Sequence, residues 1–186
     1  MTYTANRAVL RRRSWPVFFG ILILGMSVGM SLAVYKVTSV NGFRSGWQGI
    51  PIYLALAGVA GRVANCKVVL CDDVLLVVNP LRTHIVPKML IHGASVADDG
   101  TLEVDLDEGR NISAFAFGGS LIDRFKDTSG EARQKISSWL HSDSEESGTG
   151  ITHQSQWTRC APADLCLILC AVTAGAGAIW MALSGS

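Results

Sequence analysis

The sequence predicts an α+β chain: transmembrane helices plus a small antiparallel β-sandwich or barrel capped by a carboxyl-terminal helix. Trp15 to Tyr35 runs without a charged residue, and at about 1.5 Å per residue such a stretch spans about 30 Å as a helix, the thickness of a bilayer's hydrocarbon core. Leu165 to Leu183 is a second uncharged run. Between them Leu102-Glu103-Val104-Asp105-Leu106-Asp107 alternates strictly, the period of a half-buried strand. Hydrophobic residues make up 49% of the chain and charged ones 17%, so the apolar residues are gathered into blocks.

The formal net charge of +1 hides a split. Arg7, Arg11, Arg12 and Arg13 precede the first helix with no acid among them, so residues 1–14 read as a basic tail held in the cytoplasm by the positive-inside rule. A secretory signal is the rival reading, with Ser31-Leu32-Ala33 as a cleavage site and Arg12-Arg13 as a faint twin-arginine feature; the apolar run exceeds the usual signal core. Gly25, Gly29 and Ala33 recur every fourth residue, a stripe that lets another helix approach closely, though scattered glycine is also ordinary in membrane helices. Tyr35 and Lys36 mark the far interface, and Lys36 to Gly46 reads as a short outward loop with the turn dipeptide Asn41-Gly42.

Trp47 to Ala60 is apolar but short. If Arg62 snorkels and the helix runs on through Ala64, its length approaches the lower limit for a span, with Pro51 near the first turn. Residues 15–64 then form a transmembrane hairpin, the alternative being a re-entrant or buried helix. Residues 161–183 form the last span. Cys166, Cys170, Ala174, Ala178 and Ala182 give it a small-residue stripe suited to lie against that of Gly25.

Residues 66–142 form the water-exposed domain. Asp72-Asp73 separates Lys67–Leu70 from Val74–Val78, Asn79-Pro80 ends the latter, and Asp98-Asp99-Gly100 and Glu108-Gly109 flank the alternating strand. Ile112 to Phe117 reads as another strand, with Ile112, Ala114 and Ala116 on one side and Phe115 and Phe117 on the other. Thr128-Ser129-Gly130-Glu131 fits a capping box, and Ala132, Ile136, Trp139 and Leu140 share one face of the helix that follows. Residues 143–160, polar and without hydrophobic period, read as a flexible linker.

The run Lys67 to Pro87, Lys-Val-Val-Leu-Cys-Asp-Asp-Val-Leu-Leu-Val-Val-Asn-Pro-Leu-Arg-Thr-His-Ile-Val-Pro, resembles the opening of bacterial pleckstrin-homology-like (PH-like) domains. It is similar in particular to small actinobacterial membrane proteins of the low-molecular-weight antigen 6 type, where a transmembrane hairpin leads into such a domain. The likeness covers about Val17 to Leu140. It implies a seven-stranded, strongly bent sheet capped by a helix, used as a binding or assembly module and not as an enzyme. This chain departs from the family at the first hairpin turn, Asp72-Asp73 where glycine is common, and after the proline, Lys88-Met89 where tryptophan is common. Phosphoinositide binding of the eukaryotic kind needs basic residues around that first hairpin, and here the loop is Cys71-Asp72-Asp73. Arg82, His84 and Lys88 form a modest basic group near the third strand, able to face anionic headgroups close to a membrane or simply to be solvated.

No catalytic, cofactor-binding or metal-ligating set is legible. The four histidines stand singly, Gly118-Gly119-Ser120 lacks the spaced glycines and lysine of a phosphate loop, and the acids of Glu103, Asp105 and Asp107 alternate on a solvated face. Five cysteines show no metal spacing, and no clustered basic surface points to nucleic acid. The expectation is a multi-pass plasma-membrane protein with its amino terminus and domain in the cytoplasm, partnered by the bilayer and by a protein or a second copy. The alternatives are a lipid-sensing or accessory subunit of a membrane enzyme or transporter and, on the signal-peptide reading, a secreted or cell-surface domain.

Overall fold

A computed structural model describes residues 8–12, 14–118, 128–142 and 152–184, with Glu108 described by its backbone alone. The elements in order are β1 (Ala8–Leu10), α1 (Ser14–Asn41), α2 (Phe43–Gly46), α3 (Gly49–Ala64), β2 (Lys67–Leu70), β3 (Val74–Val78), β4 (Arg82–Pro87), β5 (Ile91–Val96), β6 (Leu102–Leu106), β7 (Asn111–Ala114), α4 (Thr128–Leu140), β8 (Gln154–Trp157) and α5 (Ala161–Ser184). They divide into two compact units, Met1–Arg12 with Asn65–Thr158, and Arg13–Ala64 with Arg159–Ser186.

The first unit holds two antiparallel sheets, β1-β2-β3-β4-β8 and β5-β6-β7. Val68 and Val69 in β2 and the Val-Leu-Leu-Val-Val run of β3 are branched residues that suit a pleated surface, and the Cys71 N–H closes their turn on the Val74 carbonyl at 2.9 Å. In the second sheet Leu102, Val104 and Leu106 are buried, as their alternation requires. Gly100 takes the positive φ of 84° that the turn before β6 needs. Val68, Leu75, Val77, Val86, Leu102, Val104 and Ala114 share one core with Ala132 and Ile136 of α4. Trp139 and Leu140 pack against it, so the helix presents the face expected of it. Its Ser129 hydroxyl donates to the Gly100 carbonyl at 2.9 Å.

Three segments differ from the expectation. Ala8–Leu10, read as tail, is an edge strand on β2, with Leu10 buried opposite Val68. Gln154–Trp157, read as linker, pairs with β4 along its whole length; all four residues are exposed, so no apolar period announces it. After Ala114 the backbone tightens into a 3-10 turn over Phe115–Phe117, which buries Ala116 and Phe117 together and leaves Phe115 exposed.

In the second unit, α1 and α5 are long and apolar enough to cross a membrane. The expected loop from Lys36 is helix as far as Asn41, broken at Gly42 with φ 79°. The sixteen residues of α3 include Arg62, which is 7% exposed. Instead of snorkelling, its guanidinium donates to the Asp164 carboxylate at 2.6 Å, and the Cys160 N–H donates to the other oxygen of Asp164 at 3.1 Å.

Helix α5 packs on α3, and α1 also packs on α3. The close approach uses Gly58, where a Cβ would lie 2.8 Å from Leu167, and Gly177, where it would strike the Trp47 ring. Ser27 and Tyr53 join α1 to α3 through their hydroxyls. The expected pairing of the α5 stripe with that of Gly25 is therefore replaced by these contacts. Gly25, Gly29 and Ala33 are exposed, as are Ala174, Ala178 and Ala182, and a methyl built on Gly25 or Gly29 meets nothing within 4 Å.

Candidate functional site

The five-stranded sheet sets the site. Leu10 stands opposite Val68, Lys67 opposite Val78, Val78 opposite Thr83, and Arg82 opposite Trp157. The end of β1, the start of β2, the turn after β3 and the end of β8 thus line up along one edge of the first unit. Residues 11–13, 65–66 and 158–160 connect that edge to α1, α3 and α5.

Across the sheet one row reads Leu10, Val68, Val77, His84 and Ser155. Cross-strand partners project to one side, so the face that is apolar core over β1, β2 and β3 becomes polar at β4 and β8. A cavity of about 580 Å³ opens there, its lining including Asn79, Leu81, Arg82, His84, Ser113 and Phe115. Asn79 fixes its floor: the side-chain amide donates to the Ser113 carbonyl at 2.9 Å and its oxygen accepts the Phe115 N–H at 2.9 Å. Thr158 ties β8 into the same corner, donating its hydroxyl to the Asn79 carbonyl at 2.8 Å. Leu81 and Phe115, both in the lining, are exposed.

His84 stacks on His153, with ring centroids 5.8 Å apart and planes at 1°. His84 Nδ1 and His153 Nε2 are buried and find no hydrogen-bond partner among the described residues, a condition that costs free energy unless a ligand or solvent meets it. Burial, then the neighbouring His153 and then Arg82 hold His84 below the ordinary histidine range. The unfolded chain therefore takes up this proton first. The stabilising contribution is complete above about pH 6.5 and is lost as pH falls through that value toward the lower pKa of the folded state. Urea unfolding of the full chain in a neutral detergent at stepped pH should show this slope, and His84→Gln should flatten it.

Of the three basic residues singled out in the sequence, the structure brings Arg82 and His84 to this cavity and separates Lys88. The six residues of β4 set Arg82 and Lys88 about 20 Å apart. Lys88 Nζ instead donates to the Ser142 carbonyl at 2.7 Å beyond the end of α4 and lies 5.2 Å from the Trp139 ring, while Trp139 Nε1 donates to the Cys71 carbonyl at 2.9 Å. The carboxyl end of α4 thus meets the Cys71 and Lys88 end of that sheet. His153 was missed because its partner is sixty-nine positions away, by the difference between 153 and 84, and it lies just before β8, a strand with no sequence signature. Among the described residues no group of three or more histidine, cysteine or acidic side chains could hold a metal ion.

The fold is α+β with antiparallel sheets and two helices able to cross a bilayer. Comparison with protein-family models, curated proteins and solved structures returned no match.

Proposed function

We propose that the chain is a non-catalytic, multi-pass plasma-membrane protein that presents a PH-like module at the inner face, where it binds a protein partner or a second copy of itself. The observation that carries this reading is the common edge of the five-stranded sheet, from which short connections run to α1, α3 and α5. A domain joined through its own chain to helices able to enter a bilayer stays at that bilayer, which suits recognition there. The exposed stripes of Gly25, Gly29 and Ala33 and of Ala174, Ala178 and Ala182 add faces suited to helix association. The arginines before α1 favour the cytoplasmic side.

Solubilisation of the full chain in mild detergent should yield a mass above the monomer or a co-purifying protein; monomer alone, with nothing attached, overturns the reading. Reporter fusions at Gly46 and the carboxyl end should report the outside, and one at Ser147 the inside. The cavity beside Arg82 and His84 favours a second reading, a lipid-sensing or accessory subunit of a membrane enzyme or transporter.

A further inference from the structure

We propose that the stacked pair of His84 and His153 is an acid-released latch, holding the edge strand β8 against β4 at neutral pH and letting it open when the rings take up protons. Such a latch governs one strand, not the folding of the whole unit.

Gln154–Trp157 lies at the edge of its sheet with every side chain exposed, so its own burial contributes little to keeping it there. Besides the ladder with β4, it is held at both ends. At the carboxyl end the buried Thr158 donates its N–H to the Leu81 carbonyl at 3.0 Å and its hydroxyl to the Asn79 carbonyl at 2.8 Å. Neither contact titrates. At the amino end His153 lays its ring on His84, with centroids 5.8 Å apart and planes at 1°. His84 stands opposite Ser155, and His153, two residues before Ser155, projects to the same side of the sheet.

The closed pair accepts neutral imidazole and not imidazolium. A neutral ring has one N–H and one bare nitrogen, whereas a protonated ring has two donors to place. His84 Nδ1 and His153 Nε2 are enclosed and meet no acceptor among the described residues, so a proton on either would be a buried, unpaired cationic donor. Charging both rings would also stack two like charges. Arg82 on β4 adds a third positive charge. Val77 of β3 and Ser155 of β8 stand opposite His84, and Thr101, Ser113 and Phe115 share its cavity; no carboxylate is among these neighbours. Burial, then His153, then Arg82 hold the His84 pKa below the ordinary value that the ring regains once β8 lifts. The open form therefore binds the proton first. The latch is shut above about pH 6.5, and opening increases by as much as about tenfold for each pH unit below, until the lower pKa of the closed form is reached. Opening bares the backbone edge of β4.

Amide hydrogen exchange of the full chain in a neutral detergent, resolved by NMR and corrected for the intrinsic rate at each pH, tests the latch. Alternate residues of an antiparallel strand bond the same neighbour, so the Gln154 and Gln156 N–H groups share the side of the Thr158 N–H that meets Leu81. Between pH 7.5 and 5.5 their protection should fall about tenfold, while Thr158 and the Val77 amide of β3 change less than about twofold. His84→Phe with His153→Phe keeps two rings and removes both proton sites, so the fall should vanish. His84→Gln alone should flatten it, and serves where the double variant does not fold. His92→Gln, at an exposed position on β5, should retain it. Protection of Gln154 and Gln156 that is the same at both pH values overturns the latch. Equal loss at Val77 does so too, because it reports opening of the whole sheet. A fall that persists without His84, or that disappears in His92→Gln, overturns the assignment to the stacked pair.

Discussion

Replacing Arg62 with leucine should destabilise the helical unit by about 3 kcal/mol, because it strands the Asp164 carboxylate against α3. The pair is well built. Arg62 lies in the last turn of α3 and Asp164 in the first turn of α5, so each charge also complements the partial charge at its own helix end. The arginine side chain is 8% exposed and the aspartate 30%, and Asp164 additionally holds the Cys160 N–H. Removing the acid instead, by Asp164→Leu, leaves a buried guanidinium and should cost as much or more. The double leucine variant should cost less than either single change, since two apolar groups need no counter-charge. Exchanging the charges, Arg62→Asp with Asp164→Arg, should recover part of the loss and leave the rest to altered geometry. Thermal unfolding in detergent, followed by helical circular dichroism, reads all four variants. Single variants within about 0.5 kcal/mol of the wild type would mean that Arg62 reaches water, as an exposed pair would allow.

The contrast between Arg62 and the neighbouring strands marks where sequence patterns carry structure and where they do not. Apolar runs and alternation are local signals, so the helices of Trp15 and Leu165, the strands of Lys67, Val74 and Leu102, and the buried face of Ala132 and Ile136 were all legible. What failed was whatever depends on a distant partner. Arg62 has the spacing of an interfacial arginine, and only the arrival of Asp164 makes it a buried ion pair. The stripe of Ala174, Ala178 and Ala182 is real as a pattern, yet the contact is made by Gly177 and Leu167 on another side of α5, where Trp47 and Gly58 wait. Ala8–Leu10 and Gln154–Trp157 are the outer strands of the first sheet. An edge strand needs backbone pairing and little burial, so its residues are under weak compositional constraint.

The candidate site shows the same division. Arg82 and His84 were visible as basic residues on a strand, and their spacing of two puts them on one face. Lys88 shares neither the strand nor its surroundings, because Pro87 ends β4 and the backbone tightens over Lys88–Leu90. His153 enters only through β8. A polar residue on the core side of a sheet is the one sequence clue, since Val86, His84 and Arg82 follow the buried parity while losing apolar character.

The largest loss in the sheet unit is expected from Ile136→Ala. Ile136 is fully buried in α4 and belongs to the core that both sheets share, so truncation removes its burial and leaves a cavity that the sheets cannot collapse to fill. Such changes cost about 2–5 kcal/mol. A domain of this size has about 5–15 kcal/mol in total, so the variant stands near the limit of folding. The helix also carries Trp139, whose indole holds the Cys71 carbonyl, and Ser129, whose hydroxyl holds the Gly100 carbonyl. Both should loosen when α4 withdraws. Lys135→Ala, next in sequence and exposed, should change stability by less than about 0.5 kcal/mol. Urea unfolding of the full chain in detergent, followed by tryptophan fluorescence, compares the two. Equal midpoints for Ile136→Ala and Lys135→Ala would mean that α4 does not close the core that Ile136 shares with both sheets.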